Sequence, residues 1–137
     1  MRNIFATLLL ALVVTAVQAK PIASPNGKLS VKAKGTGLVV SYNHQQVLEI
    51  PTVGYLNFGK KPKFSFARNV TDDYQMLAGK RLHCTNEARE YKATLDKDIQ
   101  MVLRVYNDGI VFRYEMSNLS EGKIPEERTA FRIPEGT

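Results

Sequence analysis

Paired carboxyl groups are the side chains of this chain best suited to acid–base chemistry, one holding a proton while its partner stays ionised. The candidates are Asp72-Asp73, Glu87 with Glu90, Asp96 with Asp98, Glu121, and Glu126-Glu127. Asp72-Asp73 and Asp96-Lys97-Asp98 have the composition of turns, in which an Asp side chain hydrogen-bonds its own backbone. Glu126-Glu127 follows Pro125 at the start of an expected strand. Glu87 lies in the polar run from Arg81 to Glu90, read as a twisted or bulged edge strand. Asn86, Glu87, Arg104 and Arg113 are the candidate substrate-binding residues, and no carboxyl of this chain is assigned a catalytic role.

Other chemistries fall away on composition. One Cys, Cys84, and two His, His44 and His83, exclude a disulfide framework, a multi-thiolate centre and a histidine-built zinc site. Cys84 is expected to be a small buried apolar residue rather than a nucleophile. No Ser-His-Asp arrangement is visible, and Gly35-Thr36-Gly37 does not lead into a phosphate-cradling helix. Scattered Asp and Glu oxygens could hold calcium, but no loop has ligand-dense spacing, so no metal site is expected within this chain. Asn69-Val70-Thr71 and Asn118-Leu119-Ser120 match the glycosylation sequon, a weak signal in a polar β-protein.

At 137 residues the chain has the size of one domain, too short for a (β/α)₈ barrel of roughly 250 residues. The net charge of +6 is uneven: Lys20–Arg68 has eight basic residues and one acid, Glu49. Lys28, Lys32 and Lys34 fall on the outward side of an expected strand, where lysines blunt a sheet edge. Lys60-Lys61-Pro62-Lys63 reads as a loop, without the interleaved aromatics of a nucleic-acid groove. Nucleic acid is therefore not an expected partner.

Arg2, the apolar stretch Ile4–Val17, and the small residues Val17 and Ala19 before Lys20-Pro21 form a secretory signal peptide. Asn3–Ala19 is at the lower limit of a spanning helix, which favours cleavage over anchoring. The expected domains are thus a leader, 1–19, and a soluble domain, 20–137, periplasmic or secreted and free of the membrane after cleavage.

The periodicity is that of strands. Leu29, Val31 and Ala33 alternate with Ser30, Lys32 and Lys34, and Gly35-Thr36-Gly37 breaks the run. Leu38–Tyr42 and Gln46–Ile50 flank an expected three-residue loop, Asn43-His44-Gln45. Thr71-Asp72-Asp73 reads as a turn. Ile99–Met116 forms a hairpin about an expected Asp108-Gly109 loop, with positive φ at both positions. That loop pairs Val105 with Phe112, Leu103 with Tyr114 and Met101 with Met116, and sets Arg104 opposite Arg113. Like charges in that position destabilise by up to about 1 kcal/mol. Glu115, diagonally across, or an acidic ligand or partner would compensate them. No window carries a 3.6-residue stripe, so the domain is expected to be all-β.

Several segments together resemble the N-terminal domain of glycoside hydrolase family 97. They are Ser24-Pro25-Asn26-Gly27-Lys28-Leu29, Ser41–Leu48, Asp73-Tyr74 through Gly79-Lys80-Arg81, Asn86-Glu87, Tyr106–Tyr114, and Glu126–Phe131 followed by Ile133-Pro134. The resemblance covers the whole of residues 20–137. It implies part of a β-super-sandwich of antiparallel sheets that precedes a (β/α)₈ catalytic barrel in exported, calcium-dependent α-glucosidases and α-galactosidases. The catalytic carboxylates of such enzymes lie in the barrel, and the sandwich's calcium-binding Glu is expected beyond Thr137. The chain is then expected to be a truncated, inactive piece supporting the barrel and its α-glucan or α-galactoside cleft, with calcium belonging to the full-length enzyme. The alternative is a free-standing secreted carbohydrate-binding module. No Trp is present to build a sugar platform, and most Tyr and Phe fall at core-facing positions.

Overall fold

The computed structural model describes residues 21–54, 61–77, 82–118 and 126–135. The leader 1–19, Lys60, Gly79-Lys80-Arg81 and Glu121 lie outside the described residues. Among the described residues eight strands form two antiparallel four-stranded sheets. The first contains β1 (Ile22–Ala23), β2 (Leu29–Lys34), β3 (Gly37–Tyr42) and β4 (Gln45–Ile50), in that order. The second contains β5 (Phe64–Gln75), β6 (His83–Asp96), β7 (Ile99–Tyr106) and β8 (Ile110–Met116), again in chain order. No helix occurs among the described residues, as the all-β reading requires.

The sheets pack through their alternating apolar faces. Leu29, Val31, Leu38, Val40, Ile50 and Val53 from one side meet Tyr91, Ala93, Leu95, Met101, Leu103 and Val105 from the other, all buried. The Tyr91 hydroxyl joins the layers, accepting from the Ala23 amide and donating to the Ala23 carbonyl, each at 3.2 Å. At the opposite flank the Gly54 amide donates to the Tyr114 hydroxyl at 2.8 Å.

Turn chemistry sets the first sheet. Ser24-Pro25-Asn26-Gly27 closes through the Gly27 amide and the Ser24 carbonyl, 3.0 Å apart. Ser24 is fully buried, accepting from the Leu29 amide and donating to the Asn26 side chain. The loop after β3 has two residues rather than three: Tyr42 pairs with Gln45, and Asn43 and His44 have φ of 47° and 69°. Asn and His tolerate this left-handed region better than most residues. A plain two-residue hairpin would set Leu38 opposite Glu49 and turn that acid into the core. A bulge at Val47 prevents this, so Leu48 and Ile50 pair with Val40 and Leu38 on the buried face.

In the second sheet the β7–β8 loop is Asn107-Asp108, not Asp108-Gly109. The Tyr106 amide donates to the Gly109 carbonyl at 2.8 Å, and Val105 pairs with Ile110. Leu103 therefore faces Phe112 and Met101 faces Tyr114. This register differs from the expected one by two residues, a shift that keeps every apolar side chain on the same face. Apolar patterning cannot distinguish the two. Asp72 and Asp73 lie within β5, and β6 is an interior strand with β5 on one side and β7 on the other. Those segments lack alternation because residues 71–75 and 83–87 overhang the sandwich as a two-stranded ribbon, polar on both faces.

Residues 126–132 run beside β4 in extended form, touching it through one bridge rather than forming the expected strand. Glu49 and Arg132 exchange amide–carbonyl bonds of 2.9 and 2.7 Å, and the Arg128 amide donates to the Gly54 carbonyl. Thr129 meets the Tyr114 hydroxyl at 2.9 Å, and the Phe131 ring lies 6.4 Å from that of Phe112. The β4/β8 flank is thereby covered by the chain itself.

A Cβ at Gly37 would overlap the carbonyl oxygens of Ile50 and Pro51, whereas one at Gly109 meets open space. Gly37→Ala should lower stability by about 1–3 kcal/mol, the usual cost of overpacking. Gly109→Ala should stay within about 0.5 kcal/mol. Urea unfolding of the two variants checks the difference.

Candidate functional site

The four candidate residues divide between two places on the second sheet. Asn86 and Glu87 belong to the overhanging ribbon, opposite Asp72 and Thr71, and both are exposed. Glu87 stands between two shallow grooves. One, of ≈250 Å³, is lined by Pro25, Asn69, Thr71 and Arg89; the other, of ≈200 Å³, by Thr85, Tyr106, Asn107 and Asp108.

Arg104 and Arg113 do not face each other. Two residues of register place Arg104 opposite Val111 and Arg113 opposite Val102, so the expected like-charge pair does not form. Arg113 donates to Glu115 at 2.6 Å on the exposed surface, and Lys92 lies 3.5 Å from the same carboxylate. Those cations, Arg113 first, hold Glu115 below the ordinary carboxylate range. Glu115 is thus the counter-ion of Arg113, two residues along the same strand, rather than a diagonal compensator of two facing arginines.

Arg104 is paired instead with Glu90, which sits directly across from it on β6. Glu90 is only 2% exposed and is gripped from both sides. Arg68 donates through Nε at 3.0 Å and Nη2 at 3.4 Å, and Arg104 through Nε at 2.8 Å. Asp72 extends the cluster, 3.9 Å from the Arg104 guanidinium and accepting from the Tyr106 hydroxyl at 2.9 Å. The Arg68 hydrogen bond, then Arg104, outweigh burial and hold the Glu90 carboxyl below its ordinary value. The same contact to Glu90 raises the Arg104 guanidinium further.

Glu90 is the residue that sequence reasoning passed over as a partner of Arg104. Counting back from the Asp96-Lys97-Asp98 turn would set Val105 against it. A bulge at Leu95, with Thr94 facing Gln100 and Asp96 facing Ile99, shifts the pairing by one and brings Arg104 into line. The turn itself is as expected, the Lys97 amide donating to Asp96 at 2.7 Å. Only the bulge was illegible.

This geometry limits the chemistry. A general acid needs a carboxyl whose pKa is raised toward working pH, whereas Glu90 is locked in its ionised form by two guanidinium groups. Among the described residues no three His, Cys, Asp or Glu side chains gather as metal ligands. Asp72 fits a calcium ion poorly, since a tyrosyl hydroxyl and an arginine already occupy its surroundings. His83 is 3.0 Å from Asp73 on the ribbon surface, and Cys84 is a free thiol, half-buried rather than buried.

Two antiparallel sheets closed over one apolar core, with an ion cluster on an outer face and shallow grooves at one end, define an all-β sandwich domain. The family model described as "Glycosyl-hydrolase 97 N-terminal" matches residues 22–137. The chain belongs to that family. No curated protein matches it. Among solved structures it is similar to a β-arabinopyranosidase, at 26% identity and a TM-score of 0.60, covering 86% of this chain and 22% of that one. It is also similar in fold to a glycoside hydrolase family 97 enzyme from Pseudoalteromonas sp. strain K8, solved with panose and with acarbose. Identities there are 17% and 16% and TM-scores 0.62 and 0.63, covering 85% of this chain and 20% of the enzyme. The chain thus spans about a fifth of the length of the enzymes it resembles.

Glu90→Gln should cost about 1.5–3 kcal/mol at neutral pH, the range for hydrogen bonds to a charged group. The carboxyl's folded pKa lies below its ordinary 4.5. Its stabilising contribution is therefore complete above the unfolded value and is lost as pH falls through the folded one. The stability gap between wild type and Glu90→Gln should narrow below about pH 4.5 in parallel denaturation series. Arg113→Thr, which removes an exposed ion pair and keeps a short side chain over Val102, should cost no more than about 1 kcal/mol.

Proposed function

We propose that this chain is the non-catalytic N-terminal sandwich portion of an exported glycoside hydrolase acting on α-glucosides or α-galactosides. Its work is mechanical: it supports a catalytic barrel and shapes the substrate cleft. The observation that carries this reading is the family match along residues 22–137 of a chain one fifth the length of its structural relatives. The doubly held Glu90 agrees with it, since that buried carboxyl is tied to arginines rather than poised over a cleft. The barrel would bring the reacting carboxylates and the calcium, and carbohydrate would be the partner through that larger enzyme. The Arg2 and Ile4–Val17 leader supports export to the periplasm or beyond. The β-arabinopyranosidase among the similar structures adds pentopyranosides to the sugars worth testing.

The isolated chain should hydrolyse no aryl α-glucoside, α-galactoside or β-arabinopyranoside, with or without Ca²⁺, in a chromogenic assay. Calcium-stimulated turnover would place reacting carboxylates in this chain and overturn the reading. Saturable calorimetric binding of a starch-type glucan would favour a free-standing carbohydrate-binding module instead. Sequencing the coding DNA beyond the Thr137 codon tests the barrel directly.

A further inference from the structure

Beyond Ala88 and Tyr106, the last pair that β7 shares, strands β5 and β6 run on together as a ribbon of two strands. Its two sides differ. Thr71, Asp73 and Gln75, with Glu87, Thr85 and His83 opposite them, continue the buried face of the sheet, and every one is polar. Asp72 with Asn86, Tyr74 with Cys84 and Met76 with Leu82 continue the outer face. That side turns from polar at the root to apolar at the far end, where Tyr74, Met76 and Leu82 are 48%, 43% and 71% exposed. The polarity of the ribbon is thus reversed with respect to the sandwich. Whatever covers the apolar end approaches from outside the sandwich rather than from its core.

The ribbon is held at its root. The Tyr106 hydroxyl donates to Asp72 at 2.9 Å, and the Arg104 guanidinium lies 3.9 Å from the same carboxylate, both on the outer side. Pairing continues to the apolar end, where the Met76 amide donates to the Leu82 carbonyl at 2.9 Å. Two strands alone are marginally stable in water and gain stability when a hydrophobic face packs against another element. An arm fixed at one end and apolar on one side at the other is suited to such packing.

We infer that the outer side of the ribbon is a docking surface for a folded body of the larger enzyme beyond residue 137, seated through Tyr74, Met76 and Leu82 on an apolar patch of that body. The inference rests on the proposed function and names the surface through which this domain is braced. Its occupant is argued from the four-fifths of each structural relative that lies outside the match, which supplies a body of sufficient size. The ribbon's charges agree. Among its described residues Asp72, Asp73 and Glu87 outnumber the single basic side chain, His83, which disfavours an anionic lipid surface.

The test compares this chain alone with the full-length enzyme obtained by extending the coding DNA past Thr137. Amides of residues 73–75 and 83–86 should exchange with deuterium about tenfold more slowly in the full-length enzyme, the scale of covering a partly exposed apolar side chain. In that enzyme the double variant Met76→Ser, Leu82→Ser should restore the fast rate there and leave residues 101–105 as in the wild type, which shows that it is folded. In the chain alone the same variant should alter the ribbon's rate by less than about twofold. A photo-reactive benzoylphenylalanine in place of Leu77, which is fully exposed beside the apolar end, should cross-link to residues beyond 137. Equal exchange in the two proteins, slow exchange that survives the double variant, or cross-links confined to residues 20–137 or to a second copy would overturn the inference. So would slowing of the chain's ribbon exchange by phosphatidylglycerol vesicles. A gene without a barrel past Thr137 overturns the proposed function and this inference together, whereas an unprotected ribbon in an active full-length enzyme overturns the inference alone.

Discussion

A two-layer sandwich buries its faces easily and its flanks with difficulty, because each flank leaves a row of backbone amides and the rim of the core facing water. The organisation of this domain follows from how each flank meets that constraint. On one side the chain returns as residues 126–132, hydrogen-bonds to Glu49 and Gly54, and brings aromatic and hydroxyl side chains over the rim. On the other, β1 is reduced to two residues, held by the Tyr91 hydroxyl at Ala23.

The outer face of the second sheet solves a different problem. β7 places Val102, Arg104 and Tyr106 away from the core, yet Val102 is only 1% exposed. It lines a small hollow with Arg104 and Arg113, whose aliphatic stems can shield it while their charges reach carboxylates. Glu90, Asp72 and Glu115 supply those carboxylates. A buried acid with one cation would leave lone pairs unmet. With Arg68 and Arg104 on either side, Glu90 is satisfied, and among the described residues no buried side-chain nitrogen or oxygen lacks a partner. The cluster ties β5, β6 and β7 together across their outer face.

Much of this architecture can be read from the residues alone. Alternation identified most of the strands, and the parity of Met101, Leu103 and Val105 placed the inner face of β7 correctly. Register was less legible. The Asn107-Asp108 loop and the expected Asp108-Gly109 loop differ by an even shift, which leaves hydrophobic pattern unchanged while exchanging the partners of Arg104 and Arg113. Bulges at Val47, Ala67 and Leu95 are equally silent in composition, although each redirects a ladder. The overhanging ribbon was misread for the opposite reason. With no core beneath them, residues 71–75 have no apolar face to reveal a strand, so Asp72-Asp73 looked like a turn.

Register, more than residue type, determines what the charged groups of this domain can do. Arg104 opposite Arg113 would be an unsatisfied pair of cations, a natural place for an anionic ligand. Arg104 opposite Glu90 is a charge pair with its counter-ion already in place. One residue of bulge at Leu95 and two residues of shift at the β7–β8 loop separate those outcomes. The same logic marks Arg89 as different from its neighbours. It is a cation on the inner face with a long bond to the Pro25 carbonyl and no ion pair among the described residues.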